Sequence, residues 1–119
     1  MVGNIKEGVT APFYNPGVRD ALTDIGVSVV SVGHDHCNDY CMMHGKTPEG
    51  SKKSDDIWLC FGGASGEGGY AGYGGTTRRL RTFQINAKTG NIISWKRLET
   101  APEVTFDEQV LVSGGKIEF

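Results

Sequence analysis

The stretch Val27-Ser28-Val29-Val30-Ser31-Val32 is β-branched, mostly apolar and halted by Gly33, which predicts a strand covered on both faces. Just upstream, Val18, Ala21, Leu22 and Ile25 recur at helical spacing behind Asn15-Pro16-Gly17. That pattern predicts a short helix with Asn15 as its cap, Pro16 in the first helical position and Gly26 as its stop. The helix-strand unit therefore delivers Gly33-His34-Asp35-His36-Cys37-Asn38-Asp39-Tyr40-Cys41 to a strand's C-terminal edge.

Residues 42–56 carry Gly45, Pro48, Gly50 and many charges without apolar periodicity, so an exposed loop is expected there. Ile57-Trp58-Leu59-Cys60-Phe61 returns to strand composition and runs into a glycine-rich segment, residues 62–75. Residues 78–86 and 91–98 alternate as strands joined by Ala87-Lys88-Thr89-Gly90, where Gly90 suits the positive φ of a tight hairpin. Residues 108–112 and 116–119 form a second such pair around Ser113-Gly114-Gly115. Strands outnumber helices, and the expected class is α+β, one helix packed on a largely antiparallel sheet in a single domain spanning 1–119.

The 119 residues suit one core, and although 18 of them are glycine, the 38% hydrophobic content and the lack of a triplet repeat exclude collagen and wholesale disorder. Twelve basic against 14 acidic side chains leave no positive field for a polyanion, so neither nucleic acid nor an anionic membrane is an expected partner. The longest apolar run, 27–32, falls far short of the roughly 20 residues of a membrane span. The N-terminal residues lack the pattern of a secretory signal, which gives a cytoplasmic expectation. The three cysteines, Cys37, Cys41 and Cys60, are sparse. Cys41 and Cys60 could pair in an oxidising compartment, with free thiols the default, and Cys37, Cys41 and His44 do not complete a standard zinc pattern.

His34-Asp35-His36 is the sharpest chemical feature. Two imidazoles at alternate positions diverge, so each can reach a different metal ion or opposite sides of one site, while Asp35 can orient a histidine or ligate. The bland alternative is a polar loop. Gly66-x-Gly68-x-x-Ala71 approaches a dinucleotide fingerprint, but strand-like residues follow where a helix is required. The glycines instead let backbone pass close to the histidine loop, with Tyr70 and Tyr73 on a pocket wall, or form a purely structural loop. Arg79 and Arg81 share one strand face and could clamp an anion, against the commoner outcome of a solvated basic strand. Trp58 and Trp95 read as core or interface residues.

Gly33-His34-Asp35-His36 behind its apolar strand, Asn38-Asp39-Tyr40-Cys41, Leu59-Cys60-Phe61-Gly62-Gly63, Gly69-Tyr70-Ala71-Gly72-Tyr73-Gly74-Gly75, the arginine-rich strand and Ile93-Ser94-Trp95-Lys96-Arg97-Leu98 occur in one order. That order resembles the C-terminal part of calcineurin-like metallophosphoesterases, in the fungal and plant branch similar to purple acid phosphatases. The resemblance covers about residues 8–98 and implies part of a two-sheet sandwich flanked by helices. It also implies that His34 and His36 each serve one of two divalent metal ions (Zn, Fe or Mn), which activate water for attack on a phosphoester. Nothing before Gly33 matches the upstream ligand motifs of that family, and two ligands do not make such a centre. The expectation is therefore a truncated relative without ordinary phosphatase activity, with or without metal. Its bare sheet face would be closed by a two-fold homodimer.

Two functions follow. One is a repurposed small enzyme of isomerase, cyclase or lyase type, of the kind used in fungal specialised metabolism, with His34, Asp35, His36 and Asp39 as catalytic groups and a small-molecule substrate near Tyr70, Tyr73, Arg79 and Arg81. The other is a non-catalytic metal- or ligand-binding module, or a fragment complementing a metal-dependent phosphoesterase.

Overall fold

The computed structural model describes residues 1–45, 56–66 and 77–118. In chain order these hold α1 (Val18–Asp24), β1 (Val29–Val32), β2 (Cys41–His44), β3 (Ile57–Phe61), β4 (Arg79–Asn86), β5 (Asn91–Leu98), β6 (Thr105–Ser113) and β7 (Lys116–Ile117). The strands form two sheets, one ordered β1-β3-β2 and one ordered β4-β5-β6-β7. Every pairing is antiparallel except β1 with β3. The α+β expectation holds at that level.

The core lies between the sheets. Cys41, Trp58 and Cys60 from the first sheet meet Leu111 and Val112 from the second, with Val29, Met43, Phe83, Ile92 and Ile117 packed around them. The Trp58 indole N–H donates to the Leu111 carbonyl at 2.8 Å, which satisfies the one polar atom this large side chain brings inside. Cys41 and Cys60 stand directly opposite each other on β2 and β3 and are joined as a disulfide, so the pairing left open by the sequence is made. Cys37 is buried and stands outside the disulfide.

The β4–β5 hairpin follows the sequence reading closely, with Gly90 at φ 71. Three other readings need correction. Residues 42–44, expected in a loop, belong to β2, because Tyr40-Cys41-Met42-Met43 is itself an apolar run that pairs with β3. The β1 strand is not covered on both faces: it lies at a sheet edge, with Val29 and Val30 half-buried and Ser31 and Val32 exposed. Finally, α1 is capped by Gly17 in the left-handed region, not by Asn15, whose side chain accepts the Gly17 N–H in the preceding turn.

The far end of the helix is as expected. Gly26, at φ 84, donates to the Thr23 carbonyl while Val27 donates to that of Leu22, a Schellman arrangement. The helix does not pack broadly on a sheet, since Thr23 is its one buried residue and Val18 stays exposed.

Candidate functional site

Because β1 and β3 are parallel, their C-terminal ends lie at one edge, where open sheets with parallel strands tend to bind ligands. The Gly62 N–H donates to the Val32 carbonyl and the Gly63 N–H to that of Asn38, each at 3.1 Å. The first part of the glycine segment thus runs beside the histidine corner, as expected. The corner itself turns through His34, whose φ of 82 puts a non-glycine residue in the left-handed region. Histidine is among the few side chains enriched there.

Burial divides the corner sharply. Asp35 (3% exposed), Cys37 (0%), Asn38 (0%) and Asp39 (1%) are inside, whereas His34 is exposed and His36 half-buried. Buried polar groups need partners, and residues 4–10 provide them. The Asp35 carboxylate accepts the Thr10 N–H at 3.3 Å, and the Asn38 side-chain oxygen accepts those of Lys6 and Glu7 at 3.0 and 3.2 Å. Asn38 returns a bond to the Glu7 carbonyl at 3.1 Å, and the Glu7 carboxylate accepts the Cys37 N–H at 2.6 Å. Asn4 donates its N–H to Asp39 Oδ1 at 2.7 Å and accepts that of Asp39 at 3.0 Å. Sequence reasoning missed Glu7 and Asn38, since no local pattern links residues so far apart in the chain.

Behind this stitch lies a buried ionic network. Asp39 Oδ2 is 2.5 Å from Arg79 Nε and Oδ1 is 2.8 Å from Lys96 Nζ; Lys96, fully buried, also meets Asp107 at 2.6 Å. Asp107 reaches inward because it sits at φ 51 within the β5–β6 register irregularity, and such bulges commonly re-aim a side chain. Arg81 donates to the Phe61 carbonyl at 3.0 Å, the Asp39 carbonyl at 2.5 Å and the Ser94 hydroxyl at 2.8 Å. Alternation did place Arg79 and Arg81 on one face. That face looks inward, and there both guanidiniums tie the second sheet to the corner, where the sequence left a solvated strand or an anion clamp open.

Burial alone would raise the Asp39 pKa, but hydrogen bonds from Lys96, the Asn4 N–H and Arg79 outweigh it and lower the carboxyl from 3.8 to about 2. Burial lowers Arg81, against the opposing pull of Asp39 and Asp107. For a carboxyl with a depressed folded-state pKa, the stabilisation is present above the unfolded value and is lost as pH falls through the folded value. Asp39 is thus expected to contribute about 2 kcal/mol at neutral pH, lost progressively between about pH 4 and 2. Denaturant unfolding across that range should show this slope, and Asp39→Asn should remove it.

With both carboxylate oxygens engaged by cations and the Asn4 N–H, Asp39 is held as a fixed charge, an arrangement unlike that of the proton carrier expected from sequence. Tyr70 and Tyr73 lie outside the described residues. Neutral imidazoles are apt donors to divalent transition metals, so His34 and His36 suit part of a metal's ligand set. Among the described residues no group of three or more His, Cys, Asp or Glu is placed to hold an ion, so the set is not complete there.

The chain is 51% identical over 99% of its length to "Phosphatase DCR2" of Saccharomyces cerevisiae. It is 35% identical over 89% of its length to "Probable inactive purple acid phosphatase 29" and 32% identical over 93% to "Probable inactive purple acid phosphatase 14", both of Arabidopsis thaliana. It spans only 19% of the yeast protein and 27% of each plant protein. No family profile and no solved structure matches it. Together with the ordered motifs, these likenesses place the chain in the purple-acid-phosphatase-like branch of the calcineurin-like phosphoesterases, as a segment similar to the C-terminal part of its longer members.

Proposed function

We propose that this chain is the histidine-presenting part of a phosphoesterase-type centre, in which His34 and His36 donate to divalent metal ions (Zn, Fe or Mn) whose remaining ligands come from outside the described residues. The observation that carries the reading is the division of the corner. Asp35, Asn38 and Asp39 are buried and hydrogen-bonded to residues 4–10, while exposed His34 sits on a left-handed backbone. Unusual backbone held by its surroundings is a recurrent feature of ligand-presenting sites. When bound, the ions would supply an activated water and offset charge developing on phosphorus. The chain's own contribution is to fix where the two rings start.

A repurposed acid/base enzyme of isomerase, cyclase or lyase type is the weaker reading. It needs a free proton carrier beside the histidines, and Asp35 and Asp39 are both buried and hydrogen-bonded to residues 4–10. Exposed Ile5, Val9, Phe13, Val18, Ile25 and Val32 fit a segment that packs against further protein, and a second copy of the chain is the other occupant consistent with them. The mass in solution distinguishes the two.

The disulfide argues for an oxidising compartment over the cytosol. Closing a loop with a sequence separation of 19 should stabilise the fold by about 3 kcal/mol, so Cys41→Ser with Cys60→Ser should lower unfolding stability by that amount.

The functional test is a transplant. This chain replaces the matching segment of the yeast phosphatase, and phosphomonoester turnover is compared with that of His34→Ala and His36→Ala variants. Losing a metal donor should cost at least the roughly 100-fold typical of severe outer-sphere changes. Turnover unchanged in both variants would remove the histidines from the centre.

A further inference from the structure

A cleft of about 340 Å³ opens on the side of Asp39 that faces β4–β6, and neither histidine lines it. Its floor is the Asp39–Arg79 ion pair, its wall is Leu98, Val104 and Phe106, and Lys6 stands at its rim. We propose that this cleft binds a small organic anion of about ten non-hydrogen atoms, with a flat or branched apolar body against the wall and one carboxylate, phosphonate or phosphate against Lys6. The inference is independent of any metal at His34 and His36.

The charge balance favours an anion. Among the charged residues that line it, Lys6 and Arg79 stand against Asp39, and Asp39 is already paired with Arg79, so Lys6 is left as the cation facing the cleft in a chain whose formal net charge is -2. Asp39 cannot serve as a counter-ion for a bound cation, because Arg79 and Lys96 already hold both of its oxygens. Glu99, next to the wall residue Leu98, has one oxygen accepting the Gly66 N–H. Lys6 lends its backbone N–H to Asn38, which fixes the position of its stem while the side chain stays exposed.

The apolar half of the ligand follows from the wall. Val104 is 42% exposed although it lines a concavity, so a covering group would remove apolar surface from water. Phe106 is fixed by Lys96, whose ammonium lies 5.6 Å from its ring centroid, so the wall is formed before any ligand arrives. A small ligand with one charge contact in an open cleft should bind in the low millimolar range and weaken with salt.

Titration of the isotopically labelled 119-residue chain with phenylphosphonate and with benzoate, followed by amide shifts, tests this directly. Saturable shifts at residues 4–6, 98 and 104–106 are expected. Benzyl alcohol should bind at least about fivefold more weakly, as should either anion to Lys6→Glu. Val104→Trp, which fills the cleft without touching an ion pair, should abolish saturation. Shifts that fail to saturate, that centre on His34 and His36, or that survive both substitutions would overturn the proposal.

Discussion

Replacing Lys96 by Met is expected to lower the unfolding free energy by about 3–5 kcal/mol, the usual penalty for leaving one side of a buried ion pair uncompensated. Lys96 is fully buried and faces two carboxylates, Asp39 at 2.8 Å and Asp107 at 2.6 Å. Methionine approximates the length of the lysine stem, so the packing against Phe106 changes little while the charge disappears. Asp39 would keep Arg79, but Asp107 would lose its ion-pair partner and keep only the electrostatic pull of Arg81. Adding Asp107→Asn to Lys96→Met should therefore recover part of the loss, and Lys88→Met on the exposed hairpin turn should shift stability by less than about 0.5 kcal/mol. Urea unfolding of the three variants measures all of this. A loss near zero for Lys96→Met would mean that the network does not hold the sheets together.

Gly3→Ala is expected to cost about 2–4 kcal/mol, through both backbone strain and collision. Gly3 has φ +112, and a Cβ there would lie 2.5 Å from the Asp39 carbonyl oxygen, 2.7 Å from Tyr40 Cα and 2.9 Å from Lys96 Nζ. Two of those neighbours are backbone and the third is the ammonium at the centre of the network, so relief requires the N-terminal segment to lift away. The Asn4 N–H, bonded to Asp39 at 2.7 Å, should then lose its protection from hydrogen exchange. A stable Gly3→Ala protein with that amide still protected would show that residues 2–10 are not stitched to the corner as described.

How much of this the sequence carries depends on range. The β4–β5 hairpin was legible because alternation and a turn glycine are local signals, and the same alternation correctly put Arg79 and Arg81 on one face. Which way that face looks depends on the packing of two sheets, which period-2 patterning cannot state. The β2 strand was hidden by its charged continuation after His44. The disulfide stayed open because it needs the β2–β3 register, in which Cys41 and Cys60 stand opposite each other. In the corner the motif was visible but its internal division was not. Asp35 and Asp39 look like chemistry in a linear reading, and they become structural only once the segment from Asn4 to Thr10 is seen to present its N–H groups to them.

That division is the centre of the account, and metal content combined with thermal melting of the transplanted phosphatase tests it most directly. His34→Ala and His36→Ala should each lower the metal bound per protein while leaving Tm nearly unchanged. Asp39→Asn should lower Tm while the metal bound to the folded protein stays the same. Metal content unchanged in the histidine variants, or lost in folded Asp39→Asn protein, would contradict it.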